Sequence, residues 1–393
     1  MTEGFQILTL ISIWLSILFS LITLWGGVLF WLKHSKEIAK ITPLEYYPTV
    51  SIVVPAHNEE AVIQKTSKAI LNLNYPEDKV EILIFADNCT DRTAELAEAI
   101  GNRTEYQKRQ FKVIRRTGEG GKSGVLNDAL KMIHGDYLCV YDADAMPEEN
   151  ALYFLIKKVL EDPERYVASF GRNKTRNAKQ NFLTSCINLE IVVTHRIQHC
   201  GVWQLFKIGR IPGTNFVIKT AFLKELGGFR SGALTEDTDL SFTILGTGKL
   251  IALAHNSEAF QQEPEKLKDY YYQRLRWAKG NYEVVINNFR HLFDHSNWRV
   301  KLETFYMSSI FFWFNAAVVL SDIFFIVNLI FAVIKIWVPT VEMPFTFTAG
   351  NLLLSQVLLF NWLLMILLYV LQISVAASTQ FGQVTTRQLW LAV

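Results

Sequence analysis

Three long apolar stretches lie outside one charged region of the chain. Each is longer than the roughly 20 apolar residues that cross the hydrocarbon core of a bilayer as a helix. Apart from Asp322, they contain no charged residue. The stretches are residues 5–32, 305–334 and 350–378. We therefore predict transmembrane helices within 1–33, 305–334 and 350–378.

Basic residues lie on one side of the first apolar stretch. Its N-terminal side carries Glu3, whereas its C-terminal side carries Lys33, His34, Lys36 and Lys40. Basic flanks preferentially stay on the cytoplasmic side of a membrane. The sequence therefore predicts a multi-pass protein of the cell membrane with its N-terminus outside and its charged region in the cytoplasm.

Two shorter segments border the second and third apolar stretches. Residues 289–304 mix Phe, Leu and Trp with basic residues, which predicts an amphipathic helix in the membrane interface or, equally, an ordinary surface helix. Residues 379–393 would form a cytoplasmic tail, and their last residues are again apolar. We expect either a truncated chain, or an accessory membrane subunit or second copy that completes the membrane part.

Strand-like and helical patterns alternate within residues 34–288. Short apolar runs are followed by segments in which apolar residues recur at helical spacing. Alternation of this kind predicts an α/β domain with a mainly parallel sheet that is covered by helices. The predicted strands are 50–54, 80–85, 111–114 and 137–141, and the predicted helices are 61–73, 93–100, 124–133 and 149–160.

The overall composition is an average over the apolar stretches and the charged region. The 393 residues are 50% hydrophobic and 19% charged, with a formal net charge of +2. Almost all of the charged residues lie between Lys33 and Glu303, at a density that is normal for a soluble domain. These features exclude a disordered chain, a fibrous protein, a fully soluble protein and a mostly intramembrane transporter. We expect no nucleic-acid partner.

Polar residues follow each of the four predicted strands. Ligands of parallel α/β sheets bind at the carboxyl ends of the strands, so these residues are candidate site residues. After the fourth strand, Asp142 and Asp144 stand on either side of one residue and can face one site, because alternate residues of an extended segment point the same way. Such a pair suits Mg²⁺ or Mn²⁺ completed by substrate phosphates. A helix-capping pair is the equally weighted alternative.

The glycine-rich segment 118–123 contains Lys122. It is not a Walker A loop, because Arg116 occupies the position of the required first glycine. Lys122 is predicted to meet a phosphate group as a point charge. The alternative is an ordinary loop that leads into a helix.

Two further motifs occur later in the charged region. The pair Glu236-Asp237 offers a general base that accepts a hydroxyl proton, or else a helix cap. In the segment 273–277, helical spacing puts Gln273, Arg276 and Trp277 on one face. Guanidinium groups on that helix would neutralise the charge of a diphosphate. Trp277 would stack on a sugar ring, or would simply fill a buried core.

In this order and spacing, the motifs resemble those of the processive, membrane-embedded family 2 glycosyltransferases, which are the cellulose, chitin, hyaluronan and poly-N-acetylglucosamine synthases. The form Thr-Glu-Asp-x-Asp-Leu-Ser at 235–241 is most similar to the last of these. The resemblance implies a GT-A type nucleotide-sugar-binding domain with transmembrane and interfacial helices. It is carried by Asp87, Asp142-Ala143-Asp144, Thr235-Glu236-Asp237 and Gln273-Arg274-Leu275-Arg276-Trp277.

The resemblance also implies roles for individual residues. Asp237, with Glu236 beside it, would be the catalytic base, and Asp144 would bind the metal, Mg²⁺ or Mn²⁺. Donor-binding residues would be Pro55, Ala56, Glu59, Asp87, Lys122, Asp142, Gln273, Arg274 and Arg276, and acceptor-binding residues would be Trp277, Gly213, Thr214 and Asn215.

The implied activity is inverting, metal-dependent transfer from a UDP-sugar to a growing β-linked polysaccharide at the cytoplasmic membrane face, coupled to export. UDP-N-acetylglucosamine is the favoured donor. Two alternatives stay open, a non-processive enzyme that makes a glycolipid and an inactive nucleotide-sugar sensor or export subunit. The expected partners are therefore the UDP-sugar donor, the polysaccharide acceptor and the lipid bilayer.

Overall fold

One eight-stranded sheet organises the charged region. A computed structural model describes residues 2–34, 41–342 and 352–379. The order of the strands across the sheet is 3-2-1-4-7-6-8-5, numbered along the chain. They are β1 (Val50–Ala56), β2 (Val80–Asp87), β3 (Gln110–Arg116), β4 (Tyr137–Val140), β5 (Met146–Pro147), β6 (Tyr166–Thr175), β7 (Phe216–Lys219) and β8 (Leu250–Gln261). The four strands predicted from the sequence correspond to β1–β4 and are confirmed.

The sheet is mixed, so the prediction of a mainly parallel sheet is only partly correct. Strands β1–β4 pair in parallel, as do β6 and β8. Strand β7, however, runs antiparallel to both β4 and β6, and β5 runs antiparallel to β8. Antiparallel strands within an otherwise parallel sheet are common in α/β folds. The direction of β7 follows from its long-range pairing rather than from a local pattern.

Helices cover both faces of the sheet, and the four predicted helices are confirmed as α2–α5. The helices before β6 are α1 (Thr2–His34), α2 (Ile63–Leu71), α3 (Thr93–Gly101), α4 (Gly121–Met132) and α5 (Ala151–Leu160). Those after it are α6 (Phe182–Val193), α7 (His199–Phe206), α8 (Thr220–Glu225), α9 (Glu236–Gly246), α10 (Leu267–Asn288), α11 (Trp298–Ser308), α12 (Asn315–Trp337) and α13 (Leu352–Ser378).

The hydrophobic core has one layer on each face of the sheet. Along β1, Ile52 packs into the layer formed with α2 and α5, whereas Val53 packs into the layer formed with α4. This alternation follows from the two-residue repeat of a strand. Both side chains are fully buried, and replacing such an Ile by Ala typically costs about 2–5 kcal/mol. The two layers hold the ends of β1, β2 and β4 at one edge of the sheet.

Helix α1 packs closely on a long helix of the charged region. Helices α6 and α7 are joined by a π-helical segment, Thr194–Gln198, into one continuous helix. A Cβ atom on Gly201 would lie 2.2 Å from the carbonyl oxygen of Thr23, so only glycine permits this approach. Nearby, the Trp31 indole donates a hydrogen bond of 2.7 Å to the carbonyl oxygen of Arg196. Small residues allow this backbone approach between helices.

One helix in the described part of the chain, Leu10–His34, is long and apolar enough to cross a membrane. Helices α12 and α13 lie where the second and third spans are predicted, and their spanning of a membrane stays a prediction. Lys36 and Lys40, which contribute to the predicted orientation, lie outside the described residues. The predicted tail also lies outside them, except for Thr379.

The segment 289–304 does not form a single helix. It contains a 3₁₀ turn, Phe289–Leu292, and then the start of α11. Between them, Asp294 accepts a hydrogen bond of 2.8 Å from the Ser296 amide, and Asn297 accepts one of 2.9 Å from the Arg299 amide. These side chains end one element and cap the next. A contact of this segment with the membrane interface stays a prediction.

Candidate active site

The carboxyl ends of β1, β2 and β4 open into one large cleft of about 1240 Å³. The loops before β7 and α9, one face of α10, the continuous helix α6–α7 and the end of α11 contribute to its other walls. All but two of the site residues predicted from the sequence line this cleft, namely Pro55, Ala56, Glu59, Asp87, Lys122, Asp142, Asp144, Gly213, Glu236, Asp237, Gln273, Arg274, Arg276 and Trp277. The structure thus brings together residues that are more than 200 positions apart in the sequence.

The two exceptions are Thr214 and Asn215, whose side chains are fully buried. The Thr214 hydroxyl accepts a hydrogen bond of 2.9 Å from the amide of Asp142. The Asn215 amide oxygen accepts one of 3.0 Å from Ser257. Both residues therefore hold the wall behind the cleft, and their predicted contact with an acceptor stays untested.

Lys122 connects the sheet edge to the start of α9. It lies in the first turn of α4, after Gly120, whose φ of 88° opens that helix. Its Nζ lies 2.6 Å from Asp142 and 3.2 Å from Glu236, and donates a hydrogen bond of 2.8 Å to the carbonyl oxygen of Gly213. Burial opposes the charge, but Asp142 and Glu236 hold the pKa of Lys122 well above its usual value. Lys122 is therefore an ammonium bridge between the strand ends and α9.

Asp237 occupies the first turn of α9, directly beside Gly213. The Thr238 amide donates a hydrogen bond of 2.7 Å to its carboxylate. Burial and the neighbouring Glu236 raise the pKa of Asp237 to about 6, although Lys122 opposes this rise. A carboxyl group with a pKa just below neutral is ionised at working pH and still accepts a proton readily, as a general base requires.

Acidic side chains crowd the end of β4. Burial and the charges of Asp142 and Glu59 raise the pKa of Asp144 to about 7. Glu263, which the sequence reading missed, also faces this region, and burial raises its pKa to about 7. No group of three or more His, Cys, Asp or Glu side chains in the described ranges is arranged to hold a metal ion by itself. Two oxygen donors, from Asp142 and Asp144, fit a hard cation whose other ligands come from substrate phosphates and water.

Another part of the cleft surrounds Asp87. Its carboxylate, which is nearly buried, lies 2.6 Å from Arg116, and Arg116 is held in turn by Asp128 at 2.8 Å. The carbonyl oxygen of Asp87 lies 2.8 Å from Nδ1 of His57. In the sequence, Arg116 serves only as evidence against a Walker A loop. Because it is the last residue of β3, it reaches the same sheet edge as the other site residues.

Helix α10 lines the cleft with residues of the predicted motif, among them Arg274, Arg276 and Trp277. Trp277 is 37% exposed, which excludes the alternative of a buried core tryptophan. Arg276 is exposed, and Gln273 is half-buried. Arg274 instead donates two hydrogen bonds to Glu190 of α6, at 2.8 and 2.9 Å. Both arginines line the cleft, but the terminal nitrogens of Arg274 are already occupied by a carboxylate.

Comparisons with known proteins identify the family of this chain. A model of the family described as glycosyl transferase family 2 matches residues 51–227. The probable glycosyltransferase YdaM of Bacillus subtilis is 35% identical over 325 residues, which cover 82% of this chain and 77% of that protein. The chain therefore belongs to glycosyl transferase family 2 and is a glycosyltransferase that uses a nucleotide sugar.

Other relatives are named for different products. The β-monoglucosyldiacylglycerol synthase of Nostoc is 34% identical over 61% of this chain and 50% of that protein. The poly-β-1,6-N-acetyl-D-glucosamine synthase of Staphylococcus epidermidis is 27% identical over 61% of this chain and 56% of that protein. A mannosyltransferase from Pyrobaculum calidifontis, solved with GDP-Man and Mn²⁺, has 17% identity and a TM-score of 0.59, and the match covers 96% of this chain and 99% of that one. This last likeness shows a shared GT-A-like fold.

Proposed function

We propose that the chain transfers a hexose from a UDP-sugar to the end of a growing β-linked polysaccharide. UDP-N-acetylglucosamine is the favoured donor. The 27% identity to a poly-β-1,6-N-acetyl-D-glucosamine synthase supports this choice of sugar and product. The proposal also includes a lipid bilayer around α1 and a catalytic domain on its cytoplasmic side. An accessory subunit or a second copy would complete the membrane part.

Buried polar atoms without partners in the wall of the cleft are the observation that favours a glycan acceptor over a lipid. Buried polar groups in proteins are nearly always hydrogen bonded. Seven cleft-lining side chains nevertheless have a buried nitrogen or oxygen with no partner among the described residues. They are Asn173, His195, His199, Thr235, Gln273, Arg274 (its Nε) and Asn281. Sugar hydroxyls both donate and accept hydrogen bonds and would satisfy such atoms, whereas an acyl chain would not.

Two of these residues are suited to hydroxyl groups for a further reason. Burial lowers the pKa of His195 to about 3 and holds the pKa of His199 well below its usual value. Both rings are therefore neutral at physiological pH, and each offers one donor and one acceptor nitrogen. Their positions, in the π-helical segment and at the start of α7, put this chemistry beside the cleft.

The size of the cleft also supports a second sugar beside the donor. Its volume of about 1240 Å³ exceeds the 300–1,000 Å³ that is usual for a small-molecule pocket. One end is lined by Asp87 and Pro55, where the nucleotide would bind, and another part is lined by Trp277. The apolar face of a sugar would stack on this indole ring.

The proposed reaction is a single displacement. An acceptor hydroxyl oxygen forms a bond to the anomeric carbon, while Asp237 takes the hydroxyl proton. The bond from that carbon to the diphosphate oxygen breaks, UDP leaves on the opposite face, and the anomeric configuration inverts. Glu236 holds Lys122 in place, and Arg276 is the exposed cation available to the departing diphosphate. A divalent metal held by Asp144 and Asp142 would neutralise charge on the diphosphate.

A glycolipid product is the second candidate. The 34% identity to a β-monoglucosyldiacylglycerol synthase supports it. The cleft also has an apolar part, formed by Met307, Ile310 and Phe311 near the start of α12. An acyl chain that entered from the membrane would contact these side chains.

Product analysis of the purified protein distinguishes the two. The protein is placed in nanodiscs and supplied with radiolabelled UDP-N-acetylglucosamine, with other UDP-sugars and GDP-mannose as alternatives. We expect UDP release and a polymer that stays in the aqueous phase and is cleaved by a β-linkage-specific hydrolase. A label found only in the lipid extract would overturn the polysaccharide proposal in favour of the glycolipid. Asp237→Asn is the matched inactive control.

A further inference from the structure

Helix α10 contains a stack of three side chains. Tyr270, Arg274 and Trp277 lie at positions i, i+4 and i+7, on one face of the helix. The guanidinium carbon of Arg274 is 4.8 Å from the ring centre of Tyr270 and 4.5 Å from that of Trp277. Both distances are within the range of a cation–π contact. The arginine thus contacts the aromatic ring that is proposed to support the acceptor sugar.

Glu190 of α6 holds this arginine from across the cleft. Its two carboxylate oxygens accept hydrogen bonds of 2.8 and 2.9 Å from the two terminal nitrogens of Arg274. A bidentate pair of this kind fixes the plane of the guanidinium group as well as its position. Each terminal nitrogen of Arg274 gives one N–H to Glu190, so the end-on pair of donors that could meet a diphosphate is already engaged.

We propose that Glu190 is a positioning residue for the acceptor, which acts on Trp277 through Arg274. The carboxylate orients the guanidinium group, and the guanidinium group holds the indole ring at the angle that receives a sugar. Arg274 then serves the acceptor, and Arg276 is left to serve the diphosphate. This inference rests on the proposed function, in which Trp277 stacks on the acceptor.

Because the ion pair of Glu190 and Arg274 is partly exposed, its effect on acceptor use can be measured separately from its effect on folding stability. The side chain of Glu190 is 45% exposed and that of Arg274 is 26% exposed. Ion pairs that are open to solvent contribute little to folding stability. Loss of the Glu190 charge should therefore leave the protein folded, so that a change in acceptor use can be measured.

The test compares Glu190→Gln with Glu190→Asp and a remote control, Glu95→Gln. Glu95 forms an exposed ion pair of 2.7 Å with Arg115, far along the chain from the residues of the stack. Three quantities are measured for each variant in nanodiscs: the Kd for UDP, the KM for a short glycan acceptor, and the sugar transferred per UDP released.

We expect Glu190→Gln to raise the acceptor KM about tenfold, since small misplacements at a reacting centre are costly. More UDP-sugar should then be hydrolysed without transfer, while the Kd for UDP stays unchanged. Glu190→Asp should recover part of the loss, and Glu95→Gln should behave as wild type. An unchanged acceptor KM, or a Kd for UDP that rises as much as the acceptor KM, would overturn the inference.

Failure of the proposed function would look different from failure of this inference. If the wild-type protein labels only lipid, the polysaccharide proposal fails, and the same variants are assayed with the lipid acceptor instead. If the wild-type protein makes polymer and Glu190→Gln makes it equally well, the inference alone fails.

Discussion

Replacing Gly213 by alanine is the sharpest perturbation of the proposed catalytic base. Gly213 has a φ of 78°, and a Cβ atom added to it would lie 2.8 Å from Oδ2 of Asp237 and 3.5 Å from Nζ of Lys122. Ordinary contact begins at 3.4 Å, so the Asp237 carboxylate would have to move by about 0.6 Å. The substitution therefore displaces the base without changing its chemical nature.

Two effects of Gly213→Ala can be estimated from this geometry. The left-handed backbone conformation costs a residue with a Cβ atom about 1–2 kcal/mol. A misplacement of about 1 Å at a reacting centre can cost about 100-fold in rate, so a displacement of about 0.6 Å should cost about tenfold or more in kcat. Binding of UDP should change little, because Asp87 and Pro55 are not displaced.

Gly227→Ala is the matched control. Gly227 has a similar φ, 85°, but no atom lies within 4 Å of the position of an added Cβ. Both variants should lose about the same stability in thermal unfolding, whereas only Gly213→Ala should lose transfer activity. Wild-type transfer activity in both variants, or the same loss of transfer activity in both, would refute the placement of Asp237 as the base beside Gly213.

Three further predictions follow from the charged groups of the cleft. Asp237→Asn should lower transfer by roughly 10²–10⁴-fold and leave UDP binding intact; transfer near the wild-type rate would contradict its role as the base. The value of kcat/KM should fall as the pH decreases through about 6, because burial and Glu236 raise the pKa of Asp237 to about 6 and the protonated carboxyl group cannot accept a proton. Lys122 and Asp142 also face this carboxyl group. A flat profile from pH 5 to 7 would contradict this prediction. Chelation should abolish turnover and Mn²⁺ or Mg²⁺ should restore it, but much less so in Asp144→Asn; full activity in chelator would exclude a metal role.

The sheet edge could be predicted because its signals are local. Strand β1 is a short apolar run whose residues are almost all buried, and polar side chains begin directly after it. The same is true of β2, which ends at Asp87, and of β4, which is followed by Asp142. A run of buried residues followed by a change to polar ones is visible in any sequence.

Several other residues and contacts of the site lack such a signal. Glu190 is the single acidic residue of an otherwise uncharged helix, and its partner Arg274 lies 84 residues further along the chain. Arg116 is the last residue of β3, a half-exposed edge strand, and a basic residue is ordinary at such a position, so it gives no sign of a site. The carbonyl oxygen of Gly213 is 91 residues away from Lys122 in sequence. Such pairs depend on tertiary folding, which no short pattern encodes.

The glycine contact between α1 and α7 has a practical consequence for how this enzyme can be handled. The catalytic region cannot be excised cleanly at residue 34, because removal of α1 would uncover Gly201 and leave the carbonyl oxygen of Arg196 without its indole donor. Helix α7, which this removal would expose, is continuous with the π-helical segment that carries His195 at the cleft. In the bilayer proposed around α1, a change in membrane thickness that altered the tilt of this helix would strain the segment that carries His195, and the catalytic rate would then depend on the surrounding lipid.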